Sequence, residues 1–297
     1  MNKVILKREY VHICFTDAAM ICKDRYSGTT VVFSGGDEFV LYAEEGGAIR
    51  PYFSSAMKRT FRAEGEGAGT FRFSGEGFSV RVGYRIDGSR LIKRICVSDT
   101  KKRRLVRIAC ETRRCNLPLS RGGEGQPVFI GEEMWCGIEF PAANNSYWQQ
   151  TLGLMQAPFC SLEKPFESFD VVFAFRRGDS LEKSFRRYIE QLRPRENLKI
   201  YCDWGLHDDL ADNVELTEEL TLSNIRKLDE LMQKSGVHFD YYLMDAYWFE
   251  ENQPYIRFKA RTFPDGIDNI IRRLEERGMR FGLWFDLNCI HAHLKGM

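Results

Sequence analysis

Between residues 28 and 178 the hydrophobic pattern comes in short alternating runs. TTVVFSG, DEFVLYAE, GTFRFSGEGFSVRVGYRI, RLVRIACE, EMWCGIEF and SFDVVFAFRRG carry the two-residue period of half-buried strands. Gly-rich turns separate them: SGG, EGEGAG, GEG, DGS and RGGEG. Repeated short strands punctuated this way predict an antiparallel β-sandwich. At residue 179 the period changes. In DSLEKSFRRYIEQLRPRE, Asp179 or Ser180 is a helix cap, and Leu181, Phe185, Tyr188, Ile189 and Leu192 fall at helical spacing before Pro194.

From there the rhythm is strand, helix, strand, helix, strand. LKIYCDW is a short apolar strand, and LTEELTLSNIRKLDELMQKSG a helix with a Leu220, Ile225, Leu228, Leu231, Met232 stripe. Acids crowd the first turn of that helix and Gly236 follows its end. FDYYLMDAYW is the next strand. FPDGIDNIIRRLEERG is the next helix, with Asp265 as cap and Gly278 just past its end, and MRFGLWFD is the third strand. Such alternation predicts parallel βαβ units. The predicted organisation is a β-sandwich over residues 1–178, a linking helix over 179–197 and β/α units over 198–297. Each of the three strands ends on or near a carboxylate: Asp203, Asp245 and Asp286. In a β/α barrel the carboxyl ends of the strands build the active site. Asp245 is the most telling of the three, because YYLMDAYWF places one acid in an otherwise uncharged run, and an unpartnered buried carboxylate is costly.

Composition narrows the picture. At 297 residues the chain is long enough for two domains, and 43% hydrophobic with 29% charged residues is ordinary for a globular protein. Lys+Arg 43 against Asp+Glu 42 argues against a general polyanion binder. The nine cysteines are odd in number and form no CxxC pair, so neither a disulfide framework nor a zinc site is expected. Unpaired cysteines favour a reducing compartment, and the amino terminus, with Lys7, Arg8, Glu9 and Asp17, does not read as a signal peptide. A cytoplasmic location is the expectation. No uncharged run is long enough to span a bilayer.

Downstream motifs resemble the first part of the catalytic barrel of melibiase-type α-galactosidases and their raffinose-synthase relatives, glycoside hydrolase family 36. In that family an apolar strand ends in a carboxylate pair followed closely by Trp; here the positions are Asp245 and Trp248. A Phe-Pro-x-Gly turn opens the next helix, here Phe263-Pro264-Asp265-Gly266. A Gly-Met-Arg-Phe-Gly-Leu-Trp strand, Gly278 to Trp284, follows. WCGIEFPAANN and LEKSFRRYIEQLRPR resemble upstream elements of the same proteins. The resemblance implies an antiparallel β-sandwich followed by the start of a (β/α)8 TIM barrel, cut after about three strands. It implies that Asp245 binds a hydroxyl of a terminal sugar, that Trp284 lines the same subsite with Asp286 at a family acidic position, and that Trp204 is a wall of the pocket; Asp203 and Trp248 are further candidates by their place at the strand ends. The family motif reads Asp-Asp-Gly-Trp, whereas this chain has Asp245-Ala246-Tyr247-Trp248, so a sugar contact made by the second acid is missing.

A retaining glycosidase needs two carboxylates about 5 Å apart across the scissile bond. In the resembled family both lie later in the barrel, so the nucleophile and the acid/base are expected beyond Met297 and no catalytic residue is assigned within the chain. The expected partner is an oligosaccharide or glycoside substrate, with no cofactor, metal, membrane or nucleic acid; the sequence is compatible with a homo-oligomer of the full-length protein. The rival function is a non-catalytic carbohydrate-binding protein with a degenerate barrel. Plainer readings accompany each residue: a loop cap for Asp245, a polar-loop neighbour of Asp208 and Asp209 for Asp203, a salt bridge for Asp286, and packing for Trp248 and Trp284. His291 and His293 have metal-ligand spacing but lack further ligands, and they read, like His207, as loop. KKRRLVRIACETRR reads as a half-buried strand, with Val106, Ile108 and Cys110 on one face and Arg107 on the other.

Overall fold

The computed structural model describes residues 3–192, 197–205, 214–253 and 255–285. The chain divides into two compact units, Met1–Pro194 and Arg195–Met297.

The first unit is built of antiparallel strands that hydrogen-bond into a continuous sheet folded around one apolar core. Its central hairpin shows why the sequence folds this way. Phe78–Asp87 and Arg90–Asp99 pair rung for rung, from Asp87 opposite Arg90 to Phe78 opposite Asp99. The two-residue turn needs positive φ, which Gly88 supplies at +58°. Val80, Val82, Tyr84 and Ile86 point into the core while Ser79, Arg81 and Arg85 are exposed. Fully burying each such apolar side chain contributes about 1.5–3 kcal/mol. Aromatic edges interlock across the core: Phe15 with Phe71, Phe33 with Phe173, and Phe39 with Phe73.

Several local expectations change. Three strands, Val4–Lys7, Val11–Phe15 and Ala19–Asp24, precede the region where strands are legible, and they join the same sheet. The simple alternation expected in Arg104–Glu111 is broken by register shifts against both neighbours, and every residue from Leu105 to Glu111 except Arg107 is buried. Helix α1 (Leu181–Leu192) packs on the outer face of the sandwich. Leu181 and Tyr188 meet Ile92, Trp135 and Val172 there, and the Trp135 indole N–H donates to Ser184 Oγ at 3.1 Å. Ser180 Oγ accepts from the Lys183 N–H, so Ser180 caps the first turn. Ile189 and Leu192, expected on the apolar stripe, are exposed.

A charged cluster lies inside the sandwich. Lys93 and Glu111 are fully buried, 3.1 Å apart, and Arg113 grips Glu111 with two bonds of 2.6 and 2.5 Å. Lys93 also donates to the carbonyls of Glu38 and Cys110. Every partner sits within hydrogen-bond reach, the condition under which buried charge is tolerated.

In the second unit Ile200–Cys202, Tyr241–Met244 and Arg280–Leu283 form a parallel three-stranded sheet. Helix α2 (Glu218–Ser235) and helix α3 (Asp268–Glu275) connect them in alternation. Thr217 Oγ1 accepts the Leu220 N–H at 3.1 Å to start α2, and Gly236 ends it at φ +69°. The core joins Ile225, Leu228 and Met232 of α2 to Tyr242 and Met244 of the middle strand and to Ile270 and Leu274 of α3. Leu231 is exposed instead, and Thr221 and Asn224 take buried positions on α2. The cap of α3 is not Asp265: the helix begins after Ile267, and no side chain caps it.

Candidate functional site

Parallel pairing in register puts the carboxyl ends of the first two strands side by side, with Cys202 opposite Leu243. The residues that follow are Asp203 on one strand and Asp245 on the other. The structure brings these two acids together. Asp203 is wholly buried and Asp245 is 8% exposed. Asp203 Oδ1 accepts the backbone N–H of Asp245 at 2.8 Å, and its Oδ2 accepts the Tyr242 hydroxyl at 3.0 Å. The Asp203 N–H in turn donates to the Leu243 carbonyl at 3.2 Å. Asp203 therefore clamps the end of the middle strand and fixes where Asp245 begins.

Asp245 is held more lightly. Its Oδ1 accepts the Ala246 N–H at 2.7 Å, and its Oδ2 faces the Cys202 thiol at 3.3 Å. Among the described residues these are the side-chain bonds it accepts, which leaves lone pairs for a ligand hydroxyl. The Cys202 thiol pKa is raised, first by burial and further by the hydrogen bond and negative charge of Asp245. Burial and the adjacent Asp203 carboxylate likewise push the Tyr242 hydroxyl far up, so it stays a proton donor to Asp203.

The aromatic residues divide. Trp248 is 2% exposed. Its ring packs against Phe249, Phe258 and Phe285, and its Nε1–H donates to the Trp284 carbonyl at 3.3 Å. Trp248 thus braces the end of the third strand from inside the core. Trp204 and Trp284 are 45% and 36% exposed and follow the first and third strands. The Trp284 N–H donates to the Met244 carbonyl at 2.9 Å, which extends the ladder one residue past Leu283 toward Asp245. Asp286, His207, Asp208, Asp209, His291 and His293 lie outside the described residues.

Tyr247 departs from the resembled motif and carries no site role in the sequence reading, and its backbone is unusual. It is half exposed with φ of +72°, a left-handed conformation that suits glycine. The signal was present: the resembled motif carries Gly at this place. The chain keeps the turn and installs a phenol on it.

Among the described residues no group of three or more His, Cys, Asp or Glu side chains converges as a metal site, and no helix is long and apolar enough to cross a membrane.

No family model and no curated protein matches the sequence. Solved structures do match the fold. The GH36 α-galactosidase AgaB from Geobacillus stearothermophilus gives a TM-score of 0.54 at 13% identity, covering 96% of this chain and 55% of that one. A variant of GH36 α-galactosidase AgaA from the same organism, solved with raffinose, gives 0.53 at 12% identity over 96% of this chain and 56% of that one. A β-arabinopyranosidase gives 0.52 at 10% identity over 95% and 55% of the two chains. The chain spans little more than half the length of these proteins. At such identities the likeness is one of fold: this chain is similar in structure to the amino-terminal portion of GH36 α-galactosidases.

Proposed function

We propose that the chain is the β-sandwich and the opening strands of a (β/α)8 barrel in an α-galactosidase-like glycoside hydrolase. The observation that carries this reading is the Asp203–Asp245 arrangement at the carboxyl ends of adjacent parallel strands, with exposed Trp204, Trp284 and Tyr247 nearby in sequence. In this reading Asp203 positions the strand end, and Asp245 accepts a hydroxyl of a terminal sugar. Trp204 and Trp284 offer apolar faces to the ring, and Asp286 joins them. The chemistry is a double displacement: one carboxylic acid protonates the leaving oxygen while a second carboxylate attacks the anomeric carbon, and water then releases the sugar. In this reading both of those groups belong to later barrel strands. The substrate is an oligosaccharide or glycoside, and the location proposed is cytoplasmic.

The test is turnover of a panel of aryl glycosides, α-galactosides first, by the full-length protein. Hydrolysis with retained anomeric configuration, lost in Asp245→Asn with an unchanged unfolding midpoint, supports the reading. No turnover of any member overturns the enzymatic part of it. A second reading, carbohydrate binding without catalysis, is favoured by one feature: Ala246 and Tyr247 stand where the motif has its second acid and its glycine. Saturable sugar binding without hydrolysis by the full-length protein distinguishes it.

A further inference from the structure

The outer face of the sandwich is not uniformly covered. Helix α1 shields one part of it, over Ile92, Trp135 and Val172. The strands Lys58–Ala63, Ala68–Gly75 and Phe78–Asp87 turn another part of the same outer surface to solvent, and there the cations collect. The register aligns them. Arg72 lies directly opposite Arg81. In the adjacent row Arg62 lies opposite Thr70, Thr70 opposite Gly83, and Gly83 opposite Arg94. Arg62, Arg72, Arg81 and Arg94 therefore surround a small floor made of Thr70 and Gly83.

Three features single out this cluster. Arg94 and the neighbouring Arg85 are already engaged by Asp170, at 2.6 and 3.2 Å, yet no ion pair among the described residues reaches Arg62, Arg72 or Arg81. The nearest acid in the local hydrogen-bond pattern is Glu64, which accepts the Thr70 hydroxyl at 2.8 Å. Like charges directly opposite on adjacent strands repel, so the Arg72–Arg81 pairing is a cost to the isolated fold that an anion would relieve. Finally, Gly83 sits in the middle of a strand, where glycine is unfavourable. A Cβ there would meet nothing closer than 3.9 Å, and the backbone is not left-handed. Packing does not require glycine at this position; its effect is to leave the floor bare.

We infer that this face binds an acidic polysaccharide through its uronate carboxylates, with Arg62, Arg72 and Arg81 as the recognition groups over Thr70 and Gly83. Guanidinium forks match planar carboxylates in two-point contact. Neighbouring strands present successive forks at intervals of about 4.8 Å, suited to a chain lying across the sheet. The outward positions beside the arginines are Thr60, Ser74 and Ser79. These offer hydroxyls to sugar hydroxyls and no aromatic surface on which a nucleic-acid base would stack. Asp170, Glu167 and Glu139 act on the Arg94 edge and Glu64 bonds Thr70, so the open charge of the site is that of Arg62, Arg72 and Arg81. The inference rests on the first unit alone and is independent of the sugar site proposed in the second.

The experiment is affinity electrophoresis of the intact protein through gels containing polygalacturonate, heparin or single-stranded DNA. The result expected is saturable retardation by polygalacturonate that weakens as salt rises. Arg72→Ser/Arg81→Ser is expected to weaken it by about tenfold or more, the loss of at least one charge-assisted fork. Gly83→Val is expected to weaken it while leaving the unfolding midpoint unchanged or raised. Arg81→Lys is expected to fall between wild type and the double variant, because it keeps charge and loses the fork. Absence of retardation by polygalacturonate, stronger retardation by heparin or DNA, or an unaltered double variant overturns the inference. These side chains are exposed, so folding of the variants is checked directly by their unfolding midpoints.

Discussion

Replacing Asp203 tests whether one buried carboxylate organises the strand ends. Asp203 and Tyr242 are both wholly buried, and the carboxylate receives the Asp245 N–H at 2.8 Å and the Tyr242 hydroxyl at 3.0 Å. Asp203→Ala leaves both donors without this acceptor, at about 1–3 kcal/mol for each buried orphan, or roughly 2–6 kcal/mol together. Asp203→Asn keeps one acceptor oxygen and presents an amide N–H to the other donor, so about 1–3 kcal/mol is expected. Tyr242→Phe in the Asp203→Ala background removes one orphaned donor and should recover part of the loss, about 1 kcal/mol or more. A chain of two units need not unfold in one step. Native-state hydrogen exchange of second-unit amides, Asp245 above all, therefore reads the effect where it arises. Protection reduced by less than about 1 kcal/mol in Asp203→Ala, or no recovery on adding Tyr242→Phe, would refute the clamp.

Tyr247→Gly should relieve the positive φ of 72° and raise stability by about 1 kcal/mol, read as a higher urea midpoint; a loss would mean that the phenol packs in a way its half exposure does not suggest. Glu111→Gln leaves Arg113 and Lys93 buried without their shared counter-charge and should cost about 3–5 kcal/mol by chemical denaturation. Burial alone would raise the Glu111 pKa, but the charges and hydrogen bonds of Arg113 and Lys93 outweigh it and hold it below 4.5. With the folded value depressed, the stabilisation is complete above the unfolded pKa of about 4.5 and disappears as pH falls through the folded value. The wild-type sandwich should accordingly lose stability below about pH 4.5 more steeply than Glu111→Gln does, in a denaturation series against pH. Burial pushes the Cys110 thiol up to about 12 and raises those of Cys22 and Cys136 strongly as well. Iodoacetamide should label the exposed Cys202 in the native protein and leave those three unlabelled until denaturant is added, as mass spectrometry of the digest will show.

Much of this architecture is legible in the chain because local rules dominate it. The period-two runs with glycine turns give the sandwich hairpins, and the Leu220–Met232 stripe ending at Gly236 gives α2. Asp245 is conspicuous because a lone acid closes an uncharged strand. What escapes a reading of the sequence depends on partners distant in the chain. Asp203 resembles any acid before a polar loop until the fold sets it beneath Asp245, 42 residues on. Trp248 sits beside Asp245 in sequence, yet its ring turns into the aromatic core. VHICF and AMICKD become strands only by pairing with each other and with their neighbours. The arginine cluster gathers residues from separate strands, so no window of the sequence displays it. Lys93 reads as an ordinary strand cation, and its burial is tolerable because Glu111 and the carbonyls of Glu38 and Cys110 receive its ammonium.

The most direct measurement is a titration of intrinsic tryptophan fluorescence with glycosides differing only in the terminal sugar, for wild type and Asp245→Asn. The account predicts saturable change with at least one sugar, because Trp204 and Trp284 are exposed just past the ends of the first and third strands, and its loss in the variant at an unchanged unfolding midpoint. Equal binding by wild type and variant, or no saturable response to any sugar in the panel, would contradict it.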